Sequence, residues 1–183
     1  MLVAGKRPAH TRQGDVGIKE FIEKEFPDNA IMAEVGVYKG DSAIIWLNSG
    51  KVKTLYCVDP WENFYSKVDL AAYSCDMKII EKMFDEKILP YKEKVIKHKE
   101  GSPMAASKYP DEFFDIVYID ACHDELAAKA DVLAWIPKIK KGGIISGHDW
   151  RDRCKIGIAA GMYELLHKGP DKLYRDSSWM ARV

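Results

Sequence analysis

The sequence predicts a doubly wound α/β domain, and three observations carry that prediction. Short apolar runs of four to six residues alternate with amphipathic segments of helical period. The runs are nearly continuous in hydrophobicity, as expected of strands buried on both faces of a parallel sheet. Five successive runs end in an acid, a histidine or a glycine, and right-handed crossovers would bring those five ends to one edge.

Along the chain, residues 1–14 hold Gly, Pro, His and basic residues without a hydrophobic period and read as a flexible arm; 15–183 reads as a single domain. Asp15 to Phe26 is helical, with Ile18, Phe21, Ile22 and Phe26 on one stripe, Asp15 as N-cap and Pro27 as the stop. Ala30–Val35 is a first strand and Asp41–Asn48 a helix. Thr54–Val58 is a second strand, followed by a long loop and a helix over 70–89. Lys94–His98 is a third strand, with a short helix near Met104 to Lys108. Phe114–Ile119 is the fourth strand. A helix over 125–139 tolerates Pro137, Gly143–Ser146 is the fifth strand, and 155–167 is the last helix. Two short strands near Leu173-Tyr174 and Trp179–Val183 finish the chain.

The 183 residues balance 28 Lys and Arg against 28 Asp and Glu, so no global field recruits nucleic acid or an anionic membrane. No apolar stretch reaches the roughly 20 residues of a membrane span, and no signal-peptide core opens the chain. Cys57, Cys75, Cys122 and Cys154 are scattered without a C-x-x-C pair, which suits reduced thiols in a cytoplasmic protein.

The chemistry gathers at the strand ends, where open α/β sheets bind ligands. The first strand ends in Glu34 and Gly36, the second in Asp59 and the third in Glu100, Gly101 and Ser102. The fourth ends in Asp120, with His123 close behind, and the fifth in His148 and Asp149. Turn-forming alone explains any one of them; five on one rim point to a site. Gly36 and Gly40 allow close backbone approach, and Asp41 and Ser42 open a helix behind them. The loop lacks G-x-G-x-x-G, and Tyr38 stands where a pyrophosphate would need glycine; no P-loop is present. Asp59 lies about 20 residues past the loop, where a carboxylate accepts ribose hydroxyls. Trp61 either offers a flat face to adenine or closes the core edge.

Ala33-Glu34-Val35-Gly36-Val37-Tyr38-Lys39-Gly40-Asp41-Ser42 resembles motif I of the class I S-adenosylmethionine-dependent methyltransferases, and Val58-Asp59-Pro60-Trp61 resembles their following acidic motif. Asp115 to His123, Asp131, and Gly142 to Trp150 are similar to the small-molecule branch, with its macrocin-type and catechol-type O-methyltransferases. The resemblance implies a Rossmann-like seven-stranded sheet, mostly parallel with an antiparallel last strand and helices on both faces. It implies S-adenosylmethionine as cofactor, with Glu34, Gly36 and Gly40 at its methionine end, Asp59 at the ribose, and Gly101 and Ser102 beside the adenine. Tyr38, Ser42, Trp61 and Asp120 complete the expected cofactor contacts. Tyr38 departs from the usual central glycine, and His148-Asp149 replaces the Asp-Asn pair of the catechol type.

Transfer to a hydroxyl requires removal of its proton, by a base or through a metal. Asp120, His123 and His148 are the catalytic candidates, and Asp120 and Asp149, completed by His148 or by His123, are the candidate ligands for Mg²⁺ or another divalent cation. Asp131 reads as a structural helix contact, and His10, His98 and His167 as surface residues. No Asn-Pro-Pro-Tyr-like tetrapeptide follows the fourth strand, which favours a small-molecule hydroxyl over amine acceptors. Loops 61–69, 121–124 and 150–155, with the N-terminal arm as a lid, would shape its pocket. Tyr65, Tyr73 and Trp150 either wall that pocket, pack between helices or lie in a homodimer interface. A non-catalytic S-adenosylmethionine-binding module and a different transfer reaction on the same scaffold are the alternatives, and an NAD-dependent oxidoreductase is disfavoured by Tyr38.

Overall fold

Alternation of side chains along a strand gives the sheet two faces to bury, and this chain fills both. A computed structural model describes residues 16–62 and 75–183. The N-terminal arm, its lid role, the Asp15 cap, Tyr65 and Tyr73 lie outside the described residues. Helix α1 (Val16–Lys24) precedes β1 (Ala30–Val35), α2 (Asp41–Asn48) and β2 (Val52–Val58). Then come α3 (Met77–Ile88), β3 (Val95–His98), α4 (Ser102–Ala106), β4 (Phe114–Ile119) and α5 (Glu125–Trp135). The chain closes with β5 (Ile139–Gly147), α6 (Asp152–Leu166), β6 (Lys172–Leu173) and β7 (Trp179–Arg182).

The seven strands lie in the order β3-β2-β1-β4-β5-β7-β6. β1 to β5 pair in parallel, while β7 runs antiparallel to both β5 and β6. The expected architecture is thus present, with the Trp179 strand inserted beside β5. Met32, Leu55, Cys57, Ile116 and Tyr118 face α1, α2 and α3, where they meet Phe21, Trp46 and Phe84. Their neighbours Ala33, Val35, Val58, Val117 and Ile145 face α4, α5 and α6, meeting Val132, Trp135 and Met162. Among the described residues no helix is long and apolar enough to cross a membrane.

Four boundaries differ from expectation. The helix over 125–139 stops at Trp135 and passes through a 3₁₀ turn, Ile136–Lys138, because Pro137 lacks an amide hydrogen. Ile139 then opens β5, four residues before the expected Gly143. The last helix begins at Asp152 rather than Lys155. α3 begins at Met77, where Asp76 accepts from Lys78 N at 3.0 Å and supplies the cap.

Candidate active site

The parallel strands deliver their carboxyl ends to one edge, so the residues after them form a continuous rim. Across it run Gly101 and Ser102, then Asp59, Glu34 with Gly36, Asp120 with His123, and finally His148 with Asp149. Five strands at about 4.8 Å spacing give a rim roughly 20 Å long. Strand order reverses between β1 and β4, the point at which such sheets open a crevice.

Glu34, at that reversal, has no exposed surface. Trp46 Nε1 donates to its Oε1 at 3.3 Å, and Oε2 makes no hydrogen bond among the described residues. Burial pushes its carboxyl up to about 8, against hydrogen bonds from Ser42 and Trp46, and the charges of Asp120 and Asp59 add to the rise. A half-satisfied buried carboxyl ringed by other acids is a costly arrangement that a cationic ligand group would relieve. It is also hostile to a pyrophosphate.

The loop between β1 and α2 is held from below. Gly36 has φ 87°, and a Cβ there would lie 2.1 Å from the Asp120 carbonyl oxygen. Its first task is therefore to let the β4 loop cross, rather than to admit a ligand. Gly40, at φ 79°, caps α2 where a Cβ would lie 2.9 Å from the Phe84 ring. Tyr38 also takes a left-handed conformation, at φ 52°, which glycine adopts more cheaply. Its amide donates to Asp59 Oδ2 at 2.8 Å, its carbonyl accepts from Trp61 Nε1 at 2.8 Å, and its hydroxyl meets Cys75 Sγ at 3.3 Å. Asp59, buried, takes the Trp61 amide on Oδ1 at 2.8 Å.

Of the two roles open to Trp61, the structure shows closure of the core edge. The residue is 2% exposed, its ring lies 4.9 Å from that of Phe84 at a 37° tilt, and Lys97 Nζ sits 4.8 Å over it, which leaves no broad face for adenine. His98 is likewise not a surface residue. It bridges the Tyr109 hydroxyl at 2.6 Å and Glu100 at 3.1 Å. His167 is exposed and caps α6, and His10 lies outside the described residues.

At the other end of the rim, His123 Nε2 lies 2.7 Å from Asp149 Oδ2 and 3.5 Å from Asp120 Oδ1. One donor atom from each of these three residues falls within 4.8 Å of the others, a set able to hold a metal ion. His148 stays outside that set: its Nδ1 approaches Asp149 Oδ1 at 3.2 Å. The histidine that completes the cluster is therefore His123, not His148, because the β4 loop turns it toward the β5 loop. Asp120 and Asp149, accepting from the protonated ring, push His123 up to about 10, so it carries a proton near neutrality. Burial disfavours charge on Asp149, but His123 and His148 outweigh it and hold that carboxyl well below the ordinary range. Burial also works against a charged His148, yet Asp149 and the charges of Asp120 and Asp176 raise it.

Two supports of this cluster carry no sequence signal. Arg151 Nη2 reaches Asp149 Oδ1 at 2.6 Å. The C-terminal segment holds the loop from behind: Trp179 Nε1 donates to the His148 carbonyl at 3.0 Å, and Ser177 accepts the Trp150 amide at 2.9 Å. Asp149 and Asp152 both take left-handed backbone, at φ 56° and 49°, a conformation that surrounding contacts must hold in place. A cavity of about 390 Å³ opens over the cluster, lined by His123, Asp149, Arg151, Asp152, Arg153 and Cys154. A second, of about 220 Å³, lies at the opposite sheet edge, among Asp115–Lys140 and Glu25–Arg182 ion pairs.

A family model described as a methyltransferase domain matches residues 33–150, which include the rim from Glu34 to Asp149. No curated protein is matched by the sequence. Among solved structures, a precorrin 8W decarboxylase from Methanobacterium thermoautotrophicum is similar at TM-score 0.61 and 16% identity, over 92% of this chain and 84% of that one. The O-methyltransferase NovP is similar at TM-score 0.60 and 16% identity, over 91% and 76%. The YcgJ protein of Bacillus subtilis is similar at 0.52 and 14%, over 72% of this chain, which spans only 49% of that protein. At these identities the likeness is one of fold.

Proposed function

The chain belongs to the S-adenosylmethionine-dependent methyltransferases, and on that premise we propose that it methylates a hydroxyl of a small molecule, with a divalent cation at Asp120, His123 and Asp149. The observation that carries this reading is the convergence of those three side chains at the end of β4 and β5, beside the half-satisfied Glu34 carboxyl.

Position on the rim divides the labour. Gly101, Ser102 and Asp59, on β3 and β2, would border the adenosine end of the cofactor. Glu34, with Gly36, Tyr38, Gly40 and Ser42 shaping its loop, would hold the cationic methionine end, and Asp120 stands between cofactor and acceptor. S-adenosylmethionine supplies an electrophilic methyl group on a sulfonium. Trp61 acts at one remove, fixing the Tyr38 carbonyl.

An acceptor hydroxyl in the cavity over the cluster must lose a proton. His123 is already protonated between two carboxylates, so it is a poor base in that state. Its imidazolium supplies the positive charge that Asp120 and Asp149 require, and a divalent ion would take over that role by displacing the proton, with the neutral imidazole nitrogen and the two carboxylates as ligands. Such an ion lowers the pKa of a bound hydroxyl. His148 and Arg151 then orient Asp149. The absence of an Asn-Pro-Pro-Tyr-like segment after β4 supports an oxygen acceptor.

Calorimetric titration with S-adenosylmethionine and S-adenosylhomocysteine, with EDTA or with added Mg²⁺, tests the reading. Binding at tens of micromolar or better, roughly −6 kcal/mol, is expected. Absence of binding removes the cofactor assignment. Formation of S-adenosylhomocysteine from hydroxyl acceptors that is insensitive to EDTA removes the metal.

A further inference from the structure

Strand β3 is an edge of the sheet, and it ends in a residue on which four hydrogen bonds meet. The His98 carbonyl accepts from the Asp59 amide at 3.2 Å and from the Glu100 amide at 3.1 Å. Its ring lies 2.6 Å from the Tyr109 hydroxyl through Nδ1 and 3.1 Å from Glu100 Oε2 through Nε2. As a carboxylate Glu100 can only accept, which assigns the ring proton to Nε2 and leaves Nδ1 to accept from Tyr109. Burial pushes the Tyr109 phenol up to about 12, so it keeps the proton it donates.

Tyr109 is itself fixed. Its ring stacks on that of Phe113, 6.0 Å away at 21°, and lies 5.9 Å from the Trp135 ring. Trp135 Nε1 in turn donates to Ser102 Oγ at 2.9 Å. One aromatic cluster therefore holds both ends of the Glu100-Gly101-Ser102 turn, the first through His98 and the second directly. Between them Gly101 is extended, at φ −66° and ψ 146°, and a Cβ there would meet no neighbouring atom of the described residues within 4 Å. Neither strain nor packing calls for glycine at that position, and its backbone faces open space.

We propose that His98 is a positioning residue for the cofactor: braced by Tyr109, it joins the turn at Asp59 to the Glu100-Gly101-Ser102 turn and so fixes the spacing between the two that border the adenosine end of S-adenosylmethionine. This rests on the reading above that Asp59, Gly101 and Ser102 border the adenosine. His98 touches the cofactor only through those turns.

Calorimetric titration with S-adenosylhomocysteine tests this without an acceptor or a metal. His98→Ala is expected to weaken binding about tenfold, and Tyr109→Phe, which keeps the ring and removes the hydroxyl, about threefold. Tyr109→Phe should add nothing in a His98→Ala background, because Tyr109 acts through His98. His98→Gln, whose amide still donates to Glu100, should stay within about threefold of the parent. The His98 Nε2–H resonance, assigned with His98→Ala, should move when S-adenosylhomocysteine binds the parent. A merely structural role would lower the melting temperature and leave affinity and resonance in place. Folded His98→Ala binding as tightly as the parent overturns the proposal; if that variant does not fold, unchanged affinity in Tyr109→Phe does so. Gly101→Ala separates the proposal from the reading beneath it, since a side chain facing open space should leave stability unchanged and, with adenine against the turn, weaken binding about tenfold. Unchanged affinity in Gly101→Ala removes the adenine assignment, and His98 falls with it. Weakened affinity there beside unchanged affinity in His98→Ala removes His98 alone.

Discussion

His123 Nε2 and Asp149 Oδ2 stand 2.7 Å apart, joining the loops that follow two adjacent strands. With Asp120 they form a compact donor set, and removing one carboxylate should cost a divalent ion at least the ~10-fold to 100-fold that loss of an outer partner costs. Titration of Mn²⁺ followed by electron paramagnetic resonance is expected to show one site per chain, weakened to that degree in Asp149→Asn and in Asp120→Asn. His148→Gln, outside the set, should lose much less. A loss in His148→Gln equal to that in the two carboxylate variants would return His148 to the ligand sphere.

Glu34 links cofactor binding to pH. In the unfolded chain its carboxyl ionises near 4.5, whereas burial holds it protonated up to about 8 in the fold. Between those values the folded state binds more protons, so Glu34 makes stability fall as pH rises through the window. The full effect is about 5 kcal/mol at most. Urea unfolding at pH 5 and pH 8.5 should show this decline in the parent and a flatter profile in Glu34→Gln. The same variant should bind S-adenosylmethionine more weakly while being the more stable protein at high pH.

Tyr38 reverses the usual ranking of alanine and glycine. At φ 52° a Cβ is unfavourable, so Tyr38→Ala keeps the strain and loses the ring. Tyr38→Gly loses the ring but relieves the strain. Denaturant unfolding should place Tyr38→Gly about 1 kcal/mol above Tyr38→Ala, with both below the parent, whose hydroxyl meets Cys75.

Trp179→Phe keeps most of a buried aromatic and removes the indole donor to the His148 carbonyl. The stability loss should be about 1 kcal/mol. Metal affinity, measured on the folded variant, should fall beyond what that change in stability explains, because the loop bearing Asp149 loses an anchor.

Much of the scaffold was legible because apolar runs and their punctuation coincide. Ala30–Val35, Asp41–Asn48 and Phe114–Ile119 occur as read. β5 was read short because Lys140-Lys141-Gly142-Gly143 looks like a turn; those residues extend the strand where it leaves the buried part of the sheet. At the site, residue types at strand ends were legible, but side-chain directions were not. Which histidine joins both Asp120 and Asp149 depends on a left-handed residue in the β5 loop, and the seclusion of Trp61 depends on φ 43°. No periodicity reports either angle.

The antiparallel seating of β7 beside β5 has a consequence for biosynthesis. A chain emerging vectorially presents Asp120, His123 and Asp149 well before Trp179, so the hydrogen bond that seats the His148 carbonyl cannot form until the final strand has docked. The nascent protein would hold every cluster side chain while its geometry is still unset, and maturation of the site would coincide with closure of the last gap in the sheet.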